Sequence, residues 1–188
     1  LKNNKYCYDS SISLNKLATE NNIAYSQAKM LCKIADTNIF ENTKIKYFSS
    51  GEEYFVSLLN DLKKAKKYIF IEYFIIEEGL FWNSILEILK DKTSQGVEVK
   101  VVYDDIGCMA TLPGNYNKIL KTYGIDATPF SRLKGAANSE FNNRNHRKIT
   151  VIDGLIGYTG GINIADEYIN HIKKYGHWKD NGIRIEGN

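Results

Sequence analysis

Long apolar runs are missing from this 188-residue chain. The longest, residues 68–76, is about half the roughly 20 residues that a membrane-crossing helix needs, and Glu72 interrupts it. Cysteine is scarce too. Cys7, Cys32 and Cys108 are odd in number, widely spaced and without a CxxC pair or a His at metal-ligand spacing, so they read as isolated thiols of a reducing compartment. No charge of one sign prevails: 25 basic and 22 acidic residues leave +3, too mild to mark a nucleic-acid or anionic-lipid binder. Internal repeats, low-complexity tracts and glycine patterns of the Walker or dinucleotide-binding type are absent. The chain starts at Leu1 with no secretory pattern, and residues 183–188 read like a strand running on. The expectation is an excised piece of a longer protein, so the lack of a membrane helix does not extend to the parent.

What is present is an alternation of helical and strand-like segments. Residues 11–35 carry apolar side chains at the spacing of two short amphipathic helices broken near Asn21 and Asn22. Residues 1–43 are read as a helical lead-in or linker, and 44–188 as the main domain. Ser50 and Glu53 resemble a capping box that starts a helix, and residues 68–76 read as a strand covered on both faces. A helix over 82–89 ends before Gly96, and a strand follows over 97–103. Further on come a helix over 116–122, a strand over 125–128 and a polar stretch over 131–145. Strands over 148–152 and 157–159 and a helix near 163–170 complete the order. Such alternation predicts a layered α/β/α domain with a mostly parallel mixed sheet, preceded by a short helical segment.

The chemistry concentrates in residues 145–153. An apolar run follows the charged start, so the chain enters a strand near His146, where residues two apart share a face. His146 and Lys148 then project together while Arg147 points away. That pairing suits a phosphate, because the ammonium binds its charge and disfavours the imidazolium, leaving a neutral ring to attack or to accept a proton. Asp153 ends the strand before Gly154 and completes the catalytic set through turn or backbone hydrogen bonds. Gly160, Gly161 and Asn163 follow at a strand-to-helix junction. Backbone N–H groups, a helix start and the Asn163 amide are expected to form a second wall of a phosphate pocket.

His146, Lys148 and Asp153 with Gly160, Gly161 and Asn163 resemble the His-x-Lys-x4-Asp signature of the phospholipase D superfamily. The flanking runs 71–76, 103–107, 160–168 and 178–180 resemble the first catalytic half of bacterial cardiolipin synthases. The resemblance implies a phospholipase D-like fold and a phosphatidyltransferase that joins two phosphatidylglycerols into cardiolipin and glycerol. It implies a phosphohistidine at His146, with Lys148 and Asn163 holding nonbridging oxygens and a second His protonating the leaving alcohol. It calls for neither cofactor nor metal. Asp180 lies at the distance of a carboxylate that orients the reactive imidazole.

The expected partners are phospholipid, a membrane surface reached through the parent, and a second motif half in that parent or a homodimer; no nucleic acid is expected. The parent is placed at the cell membrane, facing the cytoplasm, and the isolated piece is expected to be soluble and inactive or weak. A different reading of the same residues is a single-motif phosphodiesterase or nuclease completed by symmetric dimerisation. Glu72 is either a site-supporting carboxylate or a structural acceptor, Asp104 and Asp105 read chiefly as turn or cap residues, and His171 and His177 as surface residues. The 131–145 loop, with Arg132, Lys134 and Arg144, is a candidate cover for the pocket.

Overall fold

A computed structural model describes residues 11–132 and 144–187. Lys134 and most of the candidate covering loop lie outside those residues, as does Cys7. The chain divides into two compact units, Leu1–Thr43 and Lys44–Glu186. In the first, α1 (Ser11–Glu20) and α2 (Asn22–Ala35) are separated where Asn21 caps α2, its side chain accepting from Ile23 N at 3.1 Å and Ala24 N at 3.0 Å.

The second unit is a seven-stranded mixed sheet with helices. In chain order it contains β1 (Lys44–Phe48), α3 (Gly51–Leu62), β2 (Tyr68–Tyr73), α4 (Leu80–Ser94), β3 (Glu98–Asp104), α5 (Tyr116–Thr122), β4 (Asp126–Phe130), β5 (Lys148–Ile152), β6 (Ile156–Gly160) and β7 (Gly182–Glu186). The strand order is β1-β7-β6-β5-β2-β3-β4. Parallel pairing is confined to β2–β3 and β3–β4, the pairs joined through α4 and α5; the other neighbours are antiparallel. Parallel strands are therefore the minority. Asp153 and Gly154, at φ 55° and 73°, form the tight turn that folds β6 back on β5, with Leu155 N donating to Ile152 O at 3.1 Å. An Asp-Gly pair between two apolar strands is a hairpin signal, and it favours antiparallel pairing over a crossover.

Ser50 caps α3 by accepting from Glu53 N, and Tyr54, Leu58, Asp61 and Leu62 form its buried stripe. The α4 stripe is Phe81, Trp82, Ile85 and Leu89. These apolar residues join Ile69, Ile71, Val99, Val101 and Ile152 in one core, and Trp82 Nε1 ties α4 to α5 by donating to Tyr116 OH at 2.5 Å. The β2 strand stops at Tyr73, three residues short of the expected end, and it is not covered equally on both sides. Ile69, Ile71 and Tyr73 are buried, whereas Tyr68, Phe70 and Glu72 are half-buried. Tyr68 and Phe70 stack on that second face at 4.6 Å between ring centroids, so each shields apolar surface of the other.

Candidate active site

One edge of the sheet gathers most of the expected site. The antiparallel register sets the start of β5 beside the end of β2, with Tyr73 opposite Lys148. The end of β6 and the start of β7 reach the same edge, with Gly160 opposite Gly182. His146 stands just before β5 and Lys148 is its first residue. Lys148 Nζ donates to His146 O at 2.8 Å and lies 3.0 Å from His146 Nδ1. An ammonium can only donate, so in this arrangement the ring proton belongs on Nε2. Lys148 is 4% exposed. Burial pushes its ammonium below the ordinary lysine value, and the negative charge of Asp180 opposes that shift.

Asp180 therefore reaches the pair through Lys148. No hydrogen bond joins it to His146 among the described residues; its Oδ1 accepts from Asn181 N at 2.8 Å. Gly160 and Gly161 are at this edge, but their role differs from the expected anion nest. A Cβ on Gly160 would meet Asn181 O and Gly182 Cα, and one on Gly161 would meet the Asp180 carboxylate. The Gly161 N–H donates to Asn181 O at 3.1 Å. Both glycines admit β7 and Asp180 at close range.

The expected helix start beyond Asn163 is absent as well. A 3-10 turn, Asp166–Ile169, stands in its place, too short to add an appreciable dipole. Asn163 is 2% exposed and largely committed: Oδ1 accepts from Ile75 N at 3.0 Å and Nδ2 donates to Tyr168 OH at 2.8 Å. One amide hydrogen of Nδ2 remains for a ligand.

Two expected site residues lie elsewhere. Asp153 is at the far end of β5, roughly 17 Å from Lys148 along the strand. Its carboxylate accepts from Lys66 N, Lys67 N and Tyr68 N at 2.7–2.9 Å. Burial raises its pKa, but these backbone donors and the Lys67 charge prevail and hold it below the ordinary value. Asp153 is a structural clasp between β5 and the start of β2, in keeping with a turn and backbone role and apart from the reacting groups. Glu72, opposite Ile149 in the register, faces away from Lys148. It accepts from Asn145 Nδ2 and pairs with Arg147 at 3.7 Å, so it steadies the approach to His146 from behind.

Asp104 shares that task to a larger degree than a turn residue would. Its carboxylate is buried, caps the Ile106 and Gly107 amides at 3.0 Å each, accepts from Asn145 N at 3.1 Å and pairs with Arg144 at 3.3 Å. Sequence reasoning misses Phe74, although its ring lies against His146; its place directly after the β2 run is the available signal. His171 and His177 are exposed. Cys108 is buried, with its thiol pushed up to about 11 by that burial, and Cys32 is partly buried.

Residues 58–176 match the family model described as cardiolipin synthase, PLD-like domain. The chain belongs to that family. It is 44% identical over 180 residues to an uncharacterized protein of Streptococcus mutans, covering 96% of this chain and 39% of that protein. It is 41% identical over 147 residues to a cardiolipin synthase of Oceanobacillus iheyensis, covering 78% and 30%. The chain thus spans about a third of the length of these curated relatives. Among solved structures, the phospholipase D family member Nuc from Salmonella typhimurium has a TM-score of 0.57 at 19% identity, covering 78% of this chain and 84% of that one. That likeness concerns the fold. Among the described residues of this cardiolipin synthase-like domain, no helix is long and apolar enough to cross a membrane.

Proposed function

We propose that this domain is one half of a phosphatidyltransferase that makes cardiolipin and glycerol from two phosphatidylglycerols. The observation that carries the reading is the contact of Lys148 Nζ with His146 Nδ1, with the remaining Asn163 amide hydrogen at the same edge. An incoming phosphate draws Lys148 onto a nonbridging oxygen. Nδ1, released from the ammonium, takes the ring proton, Asp180 being the nearby carboxylate that favours it, and Nε2 carries the attacking lone pair. The N–P bond forms as the P–O bond to the first glycerol breaks, and a second His, from another motif half, protonates the leaving oxygen. The second His, now neutral, takes the hydroxyl proton of the acceptor phosphatidylglycerol as the new P–O bond forms and N–P breaks, which returns both imidazoles to their starting states. Lys148 and Asn163 stabilise charge on the five-coordinate phosphorus. The substrate sits at a membrane surface, on the cytoplasmic side, and no nucleic acid or metal takes part.

Incubation of the purified chain with phosphatidylglycerol vesicles, with mass-spectrometric measurement of cardiolipin and glycerol, tests the reading. Little or no product is expected until a second His-x-Lys half is supplied, and none with His146→Ala. Efficient transfer by a proven monomer would sink the half-site idea. The single His-x-Lys-x4-Asp motif in these 188 residues also fits a symmetric homodimer with phosphodiesterase or nuclease activity. A stable dimer in sedimentation that cleaves DNA or a small diester, and loses this with His146→Ala, would select that alternative.

A further inference from the structure

Phe74 lies outside the motif, yet both His146 and Lys148 meet its ring. The His146 imidazole is 4.5 Å away between centroids, tilted by 41°, and Lys148 Nζ is 5.3 Å from the ring centroid. The ring sits directly after β2, half-buried, and it is held from behind. Gly107 packs so closely that a Cβ there would collide with Phe74 O and press on the edge of the Phe74 ring. Gly107 is itself fixed by the Asp104 cap, and Cys108 Sγ donates to Phe74 O at 3.6 Å. An aromatic platform is thus built into the edge beneath the reacting pair.

We propose that Phe74 is a positioning residue whose ring holds the His146 imidazole beside Lys148 and stabilises the positive charge that this imidazole acquires. The face of an aromatic ring is negative, so it attracts an imidazolium or ammonium more than a neutral ring. An imidazole nitrogen that bonds to phosphorus or to a proton leaves the ring positively charged, and Phe74 faces that charge. The catalytic consequence rests on the proposed attack by His146, whereas the effect on the imidazole itself does not. The other charged groups around His146 are Lys148, Asp180 acting through Lys148, and Glu72, Arg144 and Arg147 around the depression on its other side. Replacing Phe74 by Leu removes none of these charges. It also keeps the site apolar, so it separates the ring's electrostatic contribution from simple exclusion of water.

The test is an NMR pH titration of the His146 ring in the 188-residue chain, assigned by loss of the signal in His146→Gln. Phe74→Leu is expected to lower the imidazole pKa by roughly half a unit, the size expected of a cation over a partly exposed ring, and Phe74→Tyr to leave it close to wild type. If Phe74→Leu does not fold, Phe74→Met serves the same purpose. An unchanged or raised pKa in a folded Leu or Met variant overturns the proposal. In the transfer assay with a second half supplied, kcat is expected to fall several-fold with KM little changed. Absence of transfer in every form, wild type included, would refute the proposed function while the titration still decides the role of Phe74.

Discussion

Gly161 lacks a side chain at the place where the Asp180 carboxylate begins: a Cβ at this glycine would collide with Asp180 Oδ1. The glycine and the carboxylate are therefore one unit of the site, separated in sequence and interlocked in space. Asp180 is in turn the negative charge that counters the effect of burial on Lys148.

Gly161→Ala is expected to destabilise the domain by about 1–3 kcal/mol, as overpacking does, and to displace Asp180. In Gly161→Ala/Asp180→Ala the added methyl has room, so the double variant should be more stable than the sum of the single effects implies. A double-mutant cycle from urea midpoints reads this, and strict additivity would show that the two positions do not interlock.

Asp153 should govern stability rather than the reacting edge. Asp153→Ala removes three backbone hydrogen bonds and places Ala at φ 55°, so a loss of about 3 kcal/mol is expected. Asp153→Asn keeps an acceptor, and an asparagine tolerates that backbone, so it is the milder change. The folded carboxyl lies below its unfolded value of about 3.9, so its contribution is full above that pH and is lost as pH falls through the folded pKa. Urea midpoints measured from pH 7 to 3 should fall less steeply for Asp153→Asn than for wild type. Parallel curves would contradict the clasp.

The lowered pKa of Lys148 has an alkaline signature. Affinity for inorganic phosphate should decline as that ammonium deprotonates, with a midpoint below the ordinary lysine value. Lys148→Arg stays charged, so any binding it retains should lack this limb. Isothermal titration between pH 7 and 10.5 distinguishes the two, and a wild-type affinity that does not change over this range would argue against phosphate binding by Lys148.

Asp104→Ala should loosen the approach to His146, because the amides of Ile106, Gly107 and Asn145 lose their shared acceptor. A loss of about 3 kcal/mol is expected, with faster hydrogen exchange at Asn145. Unchanged exchange at Asn145 would mean that another group holds this segment.

Local signals in the sequence are sufficient for most elements. Periodicity locates α2, α3, α4 and α5 to within a few residues, and the capping box marks the start of α3, because Ser50 satisfies an orphan helix amide wherever the helix packs. The period of two places Lys148 beside His146. The alternation of helices and strands gives the direction of β2–β3 and β3–β4 but overstates the parallel share of the sheet, and the Asp153-Gly154 turn carries the contrary signal locally.

By itself, then, the sequence determined the motif, the family likeness and the order of helices and strands, all of which depend on neighbouring residues. Tertiary structure decided what the motif residues touch. Asn163 is spent largely on Ile75, 88 residues away, Asp153 on the start of β2, and Glu72 on Asn145. Hydrogen-bond partners of that kind are set by strand order and register, which no local spacing encodes. The same packing brought Gly161 against Asp180 and Phe74 under His146, because both contacts require segments far apart in the chain to meet at one sheet edge.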